Sequence, residues 1–276
     1  MHRLLSCIAK CQKEDRSQHE RACKKRAAEL RDEILFKQPE SSHMGDCPIC
    51  FLPLSISPRK SNTMACCSKI ICRGCDIANL IRELVGCLEW KCPFSFCRQP
   101  TPDSDEEARM KRIEANDPVA TLDMGLIRQN EGDYESAHRY YTKSAALGDA
   151  QSHYQLSCLY REGKGVDKDE KKEIHHLEKA AIGGDPNASH NLGCVEGNNG
   201  RVDRAIQHIL IAANMGHDGS LETVEKFCAQ GMISKDVFAE TLRTHHEAVD
   251  AMKSPQREKT EVIMKQIEAG KAAGQI

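Results

Sequence analysis

Three things are scarce in this 276-residue chain: aromatic side chains, at 4% of the total, an excess of either charge, and long apolar runs. No apolar run approaches the ~18–20 residues that a membrane span requires, so no membrane partner is expected. The opening stretch, MHRLLSCIAKCQKEDRSQHE, turns charged too early to form the apolar core of a signal peptide. Lys and Arg number 39 against 41 Asp and Glu. That balance argues against a dedicated nucleic-acid binder, whose affinity rests on phosphate neutralisation by a basic surface. Phosphate-loop, nucleophile-elbow and similar catalytic signatures are also missing. These shortfalls lead to the expectation of a cytoplasmic or nuclear protein whose thiols stay reduced.

Cysteine is abundant, and it is unevenly spread. Of 15 cysteines, nine lie between Cys47 and Cys97. They run Cys47-x2-Cys50, then Cys66-Cys67, then Cys72-x2-Cys75, then a single Cys87, then Cys92-x4-Cys97. In a reducing compartment such a cluster reads as a metal site before a disulfide framework. A short C-x2-C loop turns both sulfurs toward one tetrahedral ion. No histidine occurs between His43 and His138, so two closed sites need eight thiolates. Cys47, Cys50, Cys66, Cys67, Cys72, Cys75, Cys92 and Cys97 supply that number. The competing reading is a set of buried structural thiols acting as small hydrophobes.

The order of the pairs, with 15 residues after the first and 16 after the third, resembles the all-cysteine RING finger over about residues 45–101. The resemblance implies two Zn2+ ions in a cross-braced arrangement. Cys47, Cys50, Cys72 and Cys75 would hold one ion, and Cys66, Cys67, Cys92 and Cys97 the other. Adjacent Cys66 and Cys67 would diverge in an extended strand, so the chain must kink there. Cys87 is the substitute ligand should one of these fail. Ile77, Leu80, Ile81, Leu84, Val85 and Leu88 recur at helical spacing, where a RING finger carries its central helix. Lys60, Lys69, Arg73, Lys91 and Arg98 would soften the charge of four-thiolate sites. The resemblance also implies a surface for a ubiquitin-conjugating enzyme: Ile49 inside the first pair, Pro93 after the seventh ligand, Arg98 after the last, and Trp90 beside them.

Residues 1–44 carry charges of both signs and read as a charged helical or disordered arm, with Lys24-Lys25-Arg26 as a solvated run. Ser104-Asp105-Glu106-Glu107 fits a capping box and starts a helix reaching about Asn116. Beyond it, YYTKSAALGDA, HLEKAAIGGDP and HILIAANMGHD repeat one pattern. Aligning Gly148, Gly184 and Gly216 gives steps of 36 and 32 residues, within the range of helix-turn-helix solenoid units. The middle copy is fullest, with Tyr154, Leu156, Tyr160, Gly163, Gly165, Val166, Ala180, Ala181, Gly184 and Asp185. It resembles the Sel-one-like repeat, a relative of the tetratricopeptide repeat, over about residues 117–218. The stretch from Gly231 to Pro255 reads as a capped helix, stopped by Pro255, that closes an array spanning 104–250; residues 251–276 read as a tail. His175-His176 and His245-His246 invite a metal, but neighbours on a helix point about 100° apart, so neither pair chelates as written.

The fold expected is a small zinc-stabilised α+β RING-like domain followed by an all-α helical-repeat solenoid. The function expected is a RING-type ubiquitin ligase whose repeats recruit a protein substrate or scaffold. The alternative is a non-catalytic zinc-stabilised interaction adaptor.

Overall fold

The computed structural model describes residues 16–86, 92–94 and 105–272. Helix α1 (Arg16–Leu35) belongs to a unit of its own, residues 1–38. Exposed pairs at helical spacing lace its surface, Lys24 with Glu20 at 2.7 Å and Arg26 with Glu29 at 3.1 Å. The second unit, residues 39–276, contains everything that follows.

Its cysteine-rich part is small. Strands β1 (Ser61–Thr63) and β2 (Ile70–Cys72) pair antiparallel, Ser61 opposite Cys72 and Thr63 opposite Ile70. Helix α2 (Arg73–Val85) follows directly, with the Cys72 sulfur capping it by accepting from the Cys75 amide. The core consists of Cys47, Leu54, Ile71, Cys72 and Cys75, with Met44, Met64 and Phe94 packed against it. Three of those five buried side chains are cysteines, so little aliphatic surface is available to hold the fold.

The array consists of helices α3 (Asp105–Glu114), α4 (Pro118–Asn130), α5 (Tyr134–Ala146), α6 (Ala150–Glu162), α7 (Glu170–Ile182), α8 (Pro186–Asn198), α9 (Val202–Asn214), α10 (Asp218–Ala229) and α11 (Lys235–Ala251). Each of α3 to α10 packs on its successor, and α11 packs on α9 and α10. Repeated local chemistry sets the boundaries. Gly148, Gly184 and Gly216 all have positive φ, where they end a helix without a Cβ penalty. In the first two of these steps the next residue, Asp149 or Asp185, caps the following helix through its carboxylate. In the third, His217 takes the place of aspartate, its Nδ1 accepting from the Ser220 amide at 3.0 Å. Between helices, Leu122, Ala137, Tyr141, Leu156 and Leu159 form one core and Ile209, Ala213 and Val224 another.

The G-x-G-V turn of the middle copy follows α6. Gly165, at φ +66°, lies so close to the first turn of α5 that a Cβ would stand 2.6 Å from the Tyr134 carbonyl. Residues 251–276, read from the sequence as a tail, include helix α12 (Pro255–Ala272). Pro255 therefore does more than end α11; it opens α12 at a helix position that needs no amide donor. Helix α12 turns back and packs on α2. Among the described residues, no helix is long and apolar enough to cross a membrane.

Candidate metal centre

The first cysteine pair sits on a tight turn. The Cys47 amide donates to Leu52 O at 2.9 Å and the Phe51 amide to Cys47 O at 2.8 Å. Phe51 adopts φ +58°, a left-handed conformation that costs a non-glycine residue ~1–2 kcal/mol. The turn brings Cys47 and Cys50 to one side. The third pair comes from the end of β2 and the first turn of α2, and the Cys72 amide donates to Cys47 Sγ at 3.4 Å. The sulfurs of Cys47, Cys50, Cys72 and Cys75 thereby lie within 4.8 Å of one another.

The second pair behaves as its adjacency requires. Residues 65–67 form a turn, with Cys67 and Ser68 amides both donating to Met64 O, and Ser68 at φ +55°. That kink gathers both sulfurs with Cys92, and the three lie within 4.8 Å of one another. Cys97, the expected fourth ligand, lies outside the described residues, as do Cys87, Lys91, Trp90 and Arg98. Thus the first pair joins the third and the second joins the Cys92 side of the fourth.

Two distances test whether these thiols fit an ion. A tetrahedral centre with metal–sulfur bonds of ~2.3 Å places its sulfurs about 3.8 Å apart. Cys50 Sγ and Cys72 Sγ are 3.8 Å apart, and Cys67 Sγ and Cys92 Sγ 3.7 Å. Both sets can hold a metal ion. Burial pushes the thiols of Cys67, Cys72 and Cys75 up. Burial also opposes ionisation of Cys50, but the Leu52 amide and the Arg257 guanidinium outweigh it and bring that thiol down to about 7. An ion entering the first set displaces protons, so its affinity falls as the solution becomes acidic.

Of the basic residues expected to soften the charge, Arg73 donates to Arg59 O at 2.8 Å and Lys60 pairs with Glu261 at 2.7 Å. A cation that reaches a sulfur of the first set is Arg257 of α12, whose Nη2 is 3.3 Å from Cys50 Sγ. No spacing rule links two residues 207 positions apart. Ile49, inside the first pair, is 37% exposed. Pro93 is half-buried beside Cys92 in a cavity that also takes in Cys66 of the second set and Leu122 of α4. Phe94 packs on the core around Cys47 and Ile71 rather than standing in solvent.

The histidine pairs serve packing between helices. His245 is buried and its Nδ1 lies 2.9 Å from Ala213 O. His176 meets His153 across α6 and α7, Nδ1 to Nδ1 at 3.0 Å, and stacks on Tyr160. Among the described residues, the groups of three or more potential ligands that converge are the two cysteine sets.

The Sel1 repeat family matches residues 122–149 and 150–185, which correspond to α4–α5 and α6–α7. The chain therefore carries Sel1 repeats. An uncharacterized protein of Neisseria meningitidis serogroup B is 45% identical over 49 residues, which cover 18% of this chain and 10% of that protein. Among solved structures, a Sel1 repeat protein from Oxalobacter formigenes aligns with 54% of this chain and 64% of its own, at 20% identity and a TM-score of 0.45. A protective antigen present in uropathogenic Escherichia coli strains, displaying an SLR fold, aligns with 63% of this chain and 38% of its own, at 18% identity and a TM-score of 0.41. The chain thus spans about a tenth of its curated relative and less than two thirds of either solved chain.

Proposed function

We propose that this chain is a RING-type ubiquitin ligase that binds two zinc ions and uses its Sel1 repeats to recruit the protein to be modified. The observation that carries this reading is the interleaving of the cysteines, first pair with third and second pair with Cys92. Simple sequential zinc knuckles would instead join first with second. Exposed apolar side chains support a docking role for the domain: Phe51 is 78% exposed and Leu84 and Val85, on α2, are 68% and 81% exposed.

In this reading the chain forms no covalent intermediate. A conjugating enzyme carrying ubiquitin as a thioester rests on the surface that includes Ile49 and Pro93, with Trp90 adding apolar area. The substrate lysine amine attacks the thioester carbonyl, the C–S bond breaks, an isopeptide bond forms, and the enzyme's thiol leaves with the proton. The chain contributes proximity and orientation. Arg98, following the last ligand, holds ubiquitin in the reactive pose.

The test is ubiquitin discharge from a panel of charged conjugating enzymes with the full-length protein. At least one enzyme is expected to discharge faster. Ile49→Ala should weaken binding of that enzyme, and Arg98→Ala should abolish discharge with zinc content unchanged. A second reading, a zinc-stabilised adaptor without ligase activity, is favoured by the long Cys92-x4-Cys97 spacing. It prevails if the unmodified protein accelerates no discharge.

A further inference from the structure

Helix α12 packs on α2 of the cysteine-rich domain. A cavity of about 450 Å³ runs along the junction, bordered by Ser55, Arg73, Val249, Met252 and Met264. The Lys60–Glu261 pair at its edge is exposed on both sides and contributes little. Polar contacts at the first turn of α12 do more. Gln256 Nε2 donates to Gly74 O at 2.9 Å. Arg257 Nη1 donates to Pro53 O at 2.7 Å and Met252 O at 2.8 Å, and Nη2 to Leu52 O at 3.1 Å and Cys50 Sγ at 3.3 Å. Gly74 leaves room for this residue, since a Cβ there would come within 3.0 Å of Arg257 Cγ. The Arg257 Nε is buried without a hydrogen-bond partner, so the guanidinium depends on the acceptors at its other end.

Three of those four acceptors belong to the turn that follows Cys47, at Cys50, Leu52 and Pro53. That turn includes left-handed Phe51, a conformation that persists only when its surroundings enforce it. An ion shared by Cys47, Cys50, Cys72 and Cys75 would pin Cys47, where the turn begins, and Cys50, the residue directly before Phe51. The same ion leaves a formal charge of −2 on four thiolates, against which an N–H···S contact from a cation is charge-assisted. We propose that α12 is a metal-dependent strut: ion binding at the Cys47 site presents the turn and the thiolate that Arg257 grips, and Arg257 in return positions the Cys50 ligand. The proposal rests on the zinc reading above and extends it, because α12 continues from α11, which packs against the last repeat. A loaded site would thereby fix how the cysteine-rich domain is held against the end of the array.

The experiment measures hydrogen exchange over residues 255–272 and zinc release to a chromogenic chelator, both on the full-length protein. Zinc-loaded protein should protect 255–272, and chelation should speed exchange there at least tenfold while α6 and α7 stay protected. Arg257→Gln should expose 255–272 with zinc still bound, and release one of the two ions about tenfold faster, the usual effect of losing a partner of a metal ligand. Arg257→Lys keeps the charge and should restore part of the slower release. Glu261→Ala breaks only the exposed ion pair and should leave release unchanged. If two zinc ions are bound but protection of 255–272 ignores chelation, the strut is refuted and the zinc reading stands. Faster release from Glu261→Ala equal to that from Arg257→Gln also refutes it, since general packing would then be the cause. A wild-type protein without zinc removes both.

Discussion

Replacing Gly165 by alanine should separate backbone strain from backbone collision within one repeat. Gly165 holds φ +66°, where an L side chain costs ~1–2 kcal/mol. Its added Cβ would also stand 2.6 Å from the carbonyl carbon and oxygen of Tyr134 and 2.8 Å from the Glu135 amide nitrogen. Those atoms open α5 and cannot rotate away, so the turn and the helix must separate. Separation disturbs the Asp133 cap on Ser136, worth ~1 kcal/mol, and loosens Tyr134 and Val166 against the core around Tyr141. The sum is ~3–4 kcal/mol. Gly132→Ala provides the comparison: φ is +84° and nothing lies within 4 Å of its Cβ, so only the ~1–2 kcal/mol of strain applies. At ~3 °C per kcal/mol for a domain of this size, the thermal unfolding midpoint followed by circular dichroism should fall by about 9–12 °C for Gly165→Ala and about 3–6 °C for Gly132→Ala. Equal losses would show that the turn yields freely and that the contact with α5 does not define the repeat.

Elemental analysis should find two zinc ions per chain, with Cys50→Ser and Cys97→Ser each reducing the count to one; a count unchanged by both would remove the cross-braced assignment. Chelation should loosen the domain built on β1, β2 and α2 but spare α4–α9, whose cores contain no expected metal ligand, as read by proteolysis of each part. Acid should weaken the array. Burial holds His176 and His217 down to about 4 from an ordinary 6.5. The unfolded chain therefore takes up protons first, and stability is level above pH ~6.5 and declines between ~6.5 and ~4. Both rings are partly solvated, so each contributes about 1–2 kcal/mol to that decline. Denaturant midpoints at pH 7.5 and 5 measure it, and His217→Asp, which supplies the cap used at Asp149 and Asp185, should flatten the profile; an unaltered slope would count against His217.

Much of the cysteine site was legible because metal-ligand spacing leaves a local trace. A C-x2-C spacing forces two sulfurs together, and even the awkward Cys66-Cys67 pair announced the kink that Ser68 and the turn at 65–67 supply. The repeats were legible for a related reason: Gly148, Gly184 and Gly216 each mark a conformation few other residues adopt cheaply. Helix α12 left no such trace. Its sequence from Pro255 to Ala272 is charged and weakly amphipathic, and its attachment depends on Arg257 meeting carbonyls more than two hundred positions earlier. The exposure of Leu84 and Val85 was also hidden, since helical spacing of apolar residues says that a face exists, not that another element covers it.

The contact between Arg257 and Cys50 ties the chain back on itself within the second unit. Beyond the cysteine-rich domain the chain runs through the whole array from α3 and comes back to grip the turn after Cys47. A solenoid with one loose end behaves as a spring, stretching and twisting with its neighbours in series. One tied at its ends resists lengthening until the tie slips, so bending of the array loads the Arg257 hydrogen bonds together with the His43 amide on Gly184 O, which joins the array's middle to the segment before Cys47. Closing so long a loop is entropically unfavourable, yet only weakly more so than closing a short one, because the cost grows with the logarithm of its length. Pulled apart in a single-molecule trap between residues 105 and 272, the array should therefore resist as one body until α12 shears away, and only then extend repeat by repeat.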